Sequence, residues 1–223
     1  MWPLEADPTP RSVPNPYTPI KWEISECRSL PVPDSEALAS TAAMLDARHS
    51  ERIFSPVPES LIGALFWHVT RTKETASSLL GFHIEHRPIP SAGAIHPIHL
   101  VIQLADEGGW ARYHPQEHRL DLLAMGDQLL RPLVNHSEQV VPLGGGHLIL
   151  FVAEPGKTAA KYENVDSLIW RDAGILQGSL ALVAAALGLN YCLLGITGNP
   201  WAAQLSNQGK LQGVGVAILG TKP

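Results

Sequence analysis

The chain has 223 residues, 45% of them hydrophobic, enough to bury a full core in one domain or two small ones, and one is the simpler expectation. Its formal net charge of -5 comes without a basic run, so its long-range field repels a phosphate backbone and excludes nucleic acid as an expected partner. No apolar stretch approaches the roughly 20 residues that cross a bilayer, the N-terminus lacks the basic start and apolar core of a signal peptide, and Cys27 and Cys192 offer no disulfide framework; a cytoplasmic protein is expected.

Residues 1–33 hold eight of the 19 prolines together with Trp2, Tyr17 and Trp22, and read as an extended arm with few ladder or helix bonds, either laying its aromatics against another subunit or forming a partly disordered leader. Residues 34–223 form the folded domain. Asp34 or Ser35 is placed to cap a helix carrying Leu38, Ala42 and Leu45 at helical spacing. A second helix starts near Pro58, with Leu61, Ile62, Leu65, Phe66 and Val69 on one side, and dissolves in the polar "TRTKETASS".

After "PSAGAIHP", Ile98, Leu100, Ile102 and Leu104 alternate with His99, Val101 and Gln103 as a strand with one better-buried face. "DEGG" turns the chain, "WARYH", "PQEH" and "RLDLL" read as a hairpin, and "GGGHLILFVAE" as a strand buried on both faces. The longest helix runs from Asp166 to Gly188, where glycine is a natural stop. "YCLLGI" is a short strand, "NPWAAQLSN" a short helix opened by Pro200, and "VGVAILG" a last strand. Helices and strands mix without strict βαβ alternation, so the class is α+β: a central mixed or antiparallel sheet flanked by helices, with the N-terminal arm.

Several motifs lead nowhere. "GVGVAIL" has no helix after it and cannot be a dinucleotide fingerprint, and Gly144–Gly146 reads as a turn. The ten histidines fall into no ligand pattern with carboxylates or cysteines, so no metal is expected. No nucleophile elbow is present, and Cys192 in an apolar strand reads as a buried thiol.

Three stretches make more sense together. In "ARHSERIF", an extended backbone aims Arg48, Ser50 and Arg52 to one side, two guanidinium forks and a hydroxyl suited to a phosphate. In "PSAGAIHP", the small side chains of Ala92, Gly93 and Ala94 let main-chain N–H and C=O groups meet the polar edge of a flat ring. Lys161 and Tyr162 place an amine beside a phenol just before the long helix. Together they describe a pocket for a phosphorylated planar cofactor and two groups able to move protons.

These stretches resemble the FMN-dependent nitroreductase family, and within it the SagB/ThcOx-type azoline dehydrogenases of peptide natural-product pathways. The likeness covers roughly residues 28 to 221. "ARHSERIFSP" resembles the family's R-x-S-x-R clasp, which implies FMN binding by Arg48, Ser50 and Arg52. "PSAGAIHPIHLVIQL" is similar to the branch's turn along the isoalloxazine, which implies contacts from Pro90, Ser91, Ala92 and Gly93. "ARYHPQEHRLDLL" resembles its hairpin, and "WRDAGILQGSLALVAAALGLNYCLLG" its long helix and following strand, which adds Gln177. "LLGITGNP" stands where the family often has a second glycine and an acidic residue, so the flavin N5 contact is expected near Leu194 and Gly195; Lys222 is left as a phosphate partner. Lys161 and Tyr162 fall where azoline-oxidising members carry a catalytic Lys-Tyr pair, with burial or Arg171 expected to lower the lysine.

The resemblance implies a homodimer with FMN at the subunit interface and oxidation of a thiazoline or oxazoline in a peptide or peptide-like intermediate to the azole. A cyclodehydratase could be a partner. An NAD(P)H-dependent reductase of nitro compounds, quinones or flavins, and a non-catalytic flavin-fold scaffold for a partner enzyme, stay open as alternatives.

Overall fold

In the computed structural model, which describes residues 6–34, 38, 40–104, 109–206, 208 and 210–222, the proline-rich arm lies along its own chain. A two-residue strand, β1 (Thr9–Pro10), opens it, and proline keeps the next stretch extended until β2 (Ile24–Ser29), which no proline interrupts. β2 makes a full ladder as the outermost strand of the main sheet, which corrects the expectation of few such bonds in residues 1–33. Trp2 lies outside the described residues.

The first helix, α1 (Thr41–Ala47), starts later than its apolar spacing suggests. Ser40 caps it, accepting a hydrogen bond from the Ala43 N–H at 3.3 Å, whereas Asp34 is not helical and Ser35 lies outside the described residues. Helix α2 (Glu59–Thr70) follows Pro58 as its 3.6-residue period predicts and buries Ile62, Leu65, Phe66 and Val69. A small hairpin of β3 (Glu74–Ala76) and β4 (Ile84–His86) occupies a polar stretch with no period of its own.

Strand β5 (Ile98–Gln103), the hairpin β6 (Trp110–His114) and β7 (Arg119–Leu123), and β8 (His147–Ala153) fall where alternation and apolar runs put them. Of the "DEGG" turn, only Gly109 is among the described residues. Between β7 and β8 stands a helix with no counterpart in the sequence reading, α3 (Gly126–Val140). The chain then forms α4 (Pro155–Ala159), β9 (Tyr162–Glu163), the long α5 (Asp166–Ala186), β10 (Asn190–Leu194), α6 (Asn199–Ala202) and β11 (Gln212–Gly220).

Seven strands make one sheet in the order β10-β11-β8-β5-β6-β7-β2, every neighbouring pair antiparallel. The unbroken apolar run of β8 reflects a sheet covered on both faces. Ile149, Phe151 and Ala153 face the core shared with α2 and α5, while Leu148, Leu150 and Val152 face the core that holds Leu130 and Leu133 of α3 and Ala202 of α6. Each buried leucine, isoleucine, valine or phenylalanine among them contributes about 1.5–3 kcal/mol of burial.

Helix α5 lays Ile169, Ala173, Leu176, Leu180 and Ala184 on the sheet. By length and composition it is long and apolar enough to cross a membrane, which corrects the expectation that no stretch approaches that length; here its apolar stripe packs into the protein core. Its opposite side leaves Trp170 and Ile175 exposed, and beside Gly174 and Gly178 there is open space.

Candidate active site

The turn that precedes β5 is held in a costly backbone shape. Gly93 (φ +66°), Ala94 (φ +57°) and His96 (φ +48°) all lie in the left-handed region, where a residue with a Cβ loses roughly 1–2 kcal/mol. Side chains of α5 and α4 and a main-chain carbonyl of β4 fix it. Asp172 of α5 accepts the Ser91 Oγ–H at 2.6 Å and the Ala92 N–H at 3.3 Å; Ser91 Oγ in turn accepts the His96 N–H at 2.9 Å. His96 Nε2 pairs with the Glu85 carbonyl at 3.0 Å, and Lys157 Nζ donates to the His96 carbonyl at 3.3 Å.

Burial, followed by the nearby Arg87, depresses His96 to about 3, so its ring is neutral and its Nε2–H donates to Glu85 O. Burial pushes the Asp172 carboxyl above its ordinary range, with the Ser91 and Ala92 hydrogen bonds pulling the other way.

This turn and the Lys161–Tyr162 pair form one cluster. A Cβ at Gly93 would stand 2.9 Å from Lys161 Nζ and 3.1 Å from the Tyr162 hydroxyl, so glycine leaves the amine and the phenol lying directly on the turn. Lys161 Nζ sits 5.5 Å from the Tyr162 ring centroid. The arm belts the segment that carries them: β1 pairs with β9, the Arg11 N–H donates to Lys161 O at 2.8 Å, and the Arg11 side chain reaches Ala159 O and Glu163. Arg171, expected near Lys161, instead bonds Ser167 on the exposed surface of α5.

Arg48, Ser50 and Arg52 lie on an extended segment after α1, all three exposed. The intervening residues His49 and Glu51 line a groove of about 290 Å³ with Ala181 and Ala185 of α5 and with Lys222. The segment is tied to β10 by the Glu51 N–H on Tyr191 O and by Asn190 Nδ2 on Ile53 O.

A model of the nitroreductase family matches residues 45–210. The chain belongs to the nitroreductase family. That class is one of flavin oxidoreductases. Among solved structures, a nitroreductase-like protein of Ralstonia eutropha JMP134 is similar at 21% identity with a TM-score of 0.70, over 94% of this chain and 98% of that one. The Escherichia coli microcin synthetase McbBCD complex, with truncated pro-MccB17 bound, matches at 17% identity and a TM-score of 0.55, over 86% of this chain and 76% of that one. A nitroreductase with bound FMN from Bacteroides fragilis NCTC 9343 matches at 14% identity and a TM-score of 0.51, over 83% and 89%. These likenesses agree on the nitroreductase fold. No curated protein sequence matches the chain.

Within this nitroreductase-family chain the other expected residues have varied surroundings. Gln177 donates to Val214 O at 3.0 Å beside the bulge at Gly213 and Gly215, where it supports β11. Leu194 packs partly into the second core, while Gly195 is exposed with open space where a side chain would be. Lys222 shares the groove of His49 and Glu51.

Asp172 is one residue that sequence reasoning missed. It is buried on the same stripe of α5 as Ile169, Ala173 and Leu176. A carboxylate at a core position is a signal in itself, because burial of such a group requires donors. Lys157 was missed as well: burial lowers it to about 8, and Arg87 adds to the effect.

Proposed function

We propose that the protein is an FMN-dependent dehydrogenase that oxidises an azoline ring in a peptide or peptide-like intermediate to the azole, working as a homodimer in which two chains build each flavin site. The observation that carries this reading is the packing of Lys161 and Tyr162 directly on the left-handed Gly93 of the turn. A flat ring lying along Pro90, Ser91, Ala92 and Gly93 would have an amine and a phenol at its edge.

The residues fit FMN. The turn has the bare backbone that a planar ring needs, and Arg48, Ser50 and Arg52 are exposed on an extended segment where a phosphate could reach them. FMN bound there would supply a hydride acceptor at N5. The protein's part is to hold the substrate carbon and remove its proton: oxidation of azoline to azole gives up a hydride and a proton, and Lys161 or Tyr162 takes the latter. Asp172 acts through the turn, fixing Ser91 and Ala92 so that the pair meets the ring at a constant angle.

Where the two parts sit supports the dimer. Asp172 anchors the turn near the start of α5, whereas Ala181 and Ala185 border the clasp groove near its end. Asp172 and Ala185 are thirteen residues apart, about 20 Å along a helix. A partner chain across the exposed Trp170 and Ile175 face would bring one chain's clasp to the other's turn. The McbBCD neighbour is a multi-protein synthetase holding a truncated pro-peptide, which supports a peptide substrate and a partner enzyme such as a cyclodehydratase.

Lys161→Ala is expected to abolish oxidation of an azoline-containing peptide while FMN stays bound; unchanged turnover removes the assignment. Tyr162→Phe, compared with it, identifies the base. Bleaching of the yellow protein by NADPH without any peptide would favour a nitro, quinone or flavin reductase instead.

A further inference from the structure

The Lys161–Tyr162 pair stands on a short connection between the end of α4 at Ala159 and the start of α5 at Asp166. Its one regular element, β9, has two residues, and among the described residues β1 is its only strand partner. An isolated two-stranded ladder is marginal in water, so further bonds must hold the pair.

Helix α4 leaves its last carbonyls without intrahelical donors. The arm supplies them. Three successive carbonyls accept from it: Ala159 O takes the Arg11 Nε–H at 2.8 Å, Ala160 O takes the Asn15 N–H at 2.9 Å, and Lys161 O takes the Arg11 N–H at 2.8 Å. Arg11 therefore bonds through both its main chain and its side chain, and its Nη1 reaches past the pair to Glu163 Oε1 at 3.0 Å. That ion pair is open to solvent and holds little by itself, which leaves the constraint with the two carbonyl bonds. Beyond the pair, Asn164, in the left-handed region at φ +53°, donates Nδ2 to Asp7 O at 3.3 Å.

We propose that Arg11 is a positioning residue for the Lys161–Tyr162 pair, holding from the arm the backbone that presents the amine and the phenol to Gly93. The inference rests on the reading of that pair as the groups that move a proton. Arginine suits the task because its planar fork reaches two acceptors in fixed geometry, which a single ammonium does not. Methionine in its place keeps an apolar stem and the main-chain bond to Lys161 O but removes the donors to Ala159 O and Glu163. The end of α4 and the pair are then free to turn away from Gly93. The arginine clasp lies on a different segment, after α1, so FMN binding does not depend on Arg11.

The test uses the full chain with FMN added and has two readouts. In Arg11→Met, kcat for an azoline-containing peptide is expected to fall roughly tenfold or more, the size of effect that a small misplacement of a reacting group produces, with KM and FMN affinity close to those of the parent protein. Acetylation of Lys161 by N-hydroxysuccinimidyl acetate, read by peptide mass analysis, needs no turnover and is expected to run faster in the variant. Glu163→Gln, which leaves the carbonyl bonds in place, should match the parent in both. If the parent itself oxidises no azoline, the reading of the reaction fails, while the acetylation rate still decides the role of Arg11. Should Arg11→Met not fold, Arg11→Lys takes its place, with the same changes to a smaller degree. Acetylation of Lys161 at the parent's rate, an unaltered kcat, or a loss of kcat and FMN affinity in the same proportion overturns the proposal.

Discussion

Gly93 carries the heaviest constraint of any single residue in the site. Its φ of +66° already disfavours a side chain, and a Cβ there would meet Lys161 Nζ before any backbone atom, so the flexible amine is what must give way. Gly93→Ala is expected to cost roughly 1–2 kcal/mol in stability and to lower both FMN affinity and the rate of azoline oxidation. Unaltered turnover in a folded variant would contradict the cluster.

His96 makes a second test at this scale. Its folded-state value of about 3 lies below the ordinary 6.5, so the unfolded chain binds a proton that the folded chain refuses. The stability this neutral ring supports is fully present above pH 6.5 and is lost progressively as pH falls toward 3. The melting temperature should therefore drop between pH 7 and pH 5, and His96→Asn, which suits a left-handed position, should flatten that part of the slope. A profile identical to that of the parent protein would contradict it.

Elements show where sequence was legible and where it was not. The apolar runs of β8 and β11 and the stripe of α5 stand out because both faces of the sheet are covered, which leaves no polar position to obscure the pattern. Helix α3 escaped because Pro132 sits inside it, the residue that ordinarily ends a helix, and because much of its surface is polar around buried Leu130 and Leu133. Strand β2 escaped because it is an edge strand with nearly every residue exposed, set among prolines. The turn could be read from its small residues. The bond from Ser91 to Asp172 could not, since 81 residues separate them.

The arm's docking is an element-scale property with its own test. Tyr17 packs against Gly156 of α4, and its N–H donates to Leu80 O at 2.8 Å, while Asn15 N–H donates to Ala160 O at 2.9 Å. Any Cβ at Gly156 would overlap the Tyr17 ring. Gly156→Ala should unseat the arm, and the amides of Arg11, Asn15 and Tyr17 should then exchange hydrogen faster than in the parent protein. Unchanged exchange in that segment would show that the arm is held by other contacts.

At the scale of the molecule, the proposed reading assigns two jobs to α5. Its first half fixes the turn and, through the turn, the Lys161–Tyr162 pair; its second half borders the groove beside the clasp. The proposed dimer reunites them, with the open sides of Gly174 and Gly178 allowing close approach of a second backbone. On this account, FMN affinity depends on Arg48 and Arg52, turnover depends on Lys161 and Tyr162, and one class of variant should not reproduce the other.

The most direct test is an FMN titration of the purified protein followed by its absorbance near about 450 nm, repeated with Arg48→Ala and Arg52→Ala combined. The account predicts a yellow protein that holds FMN stoichiometrically per chain and a double variant that folds but loses it. A parent protein that stays colourless at saturating FMN, or a double variant that binds it equally well, would contradict the account.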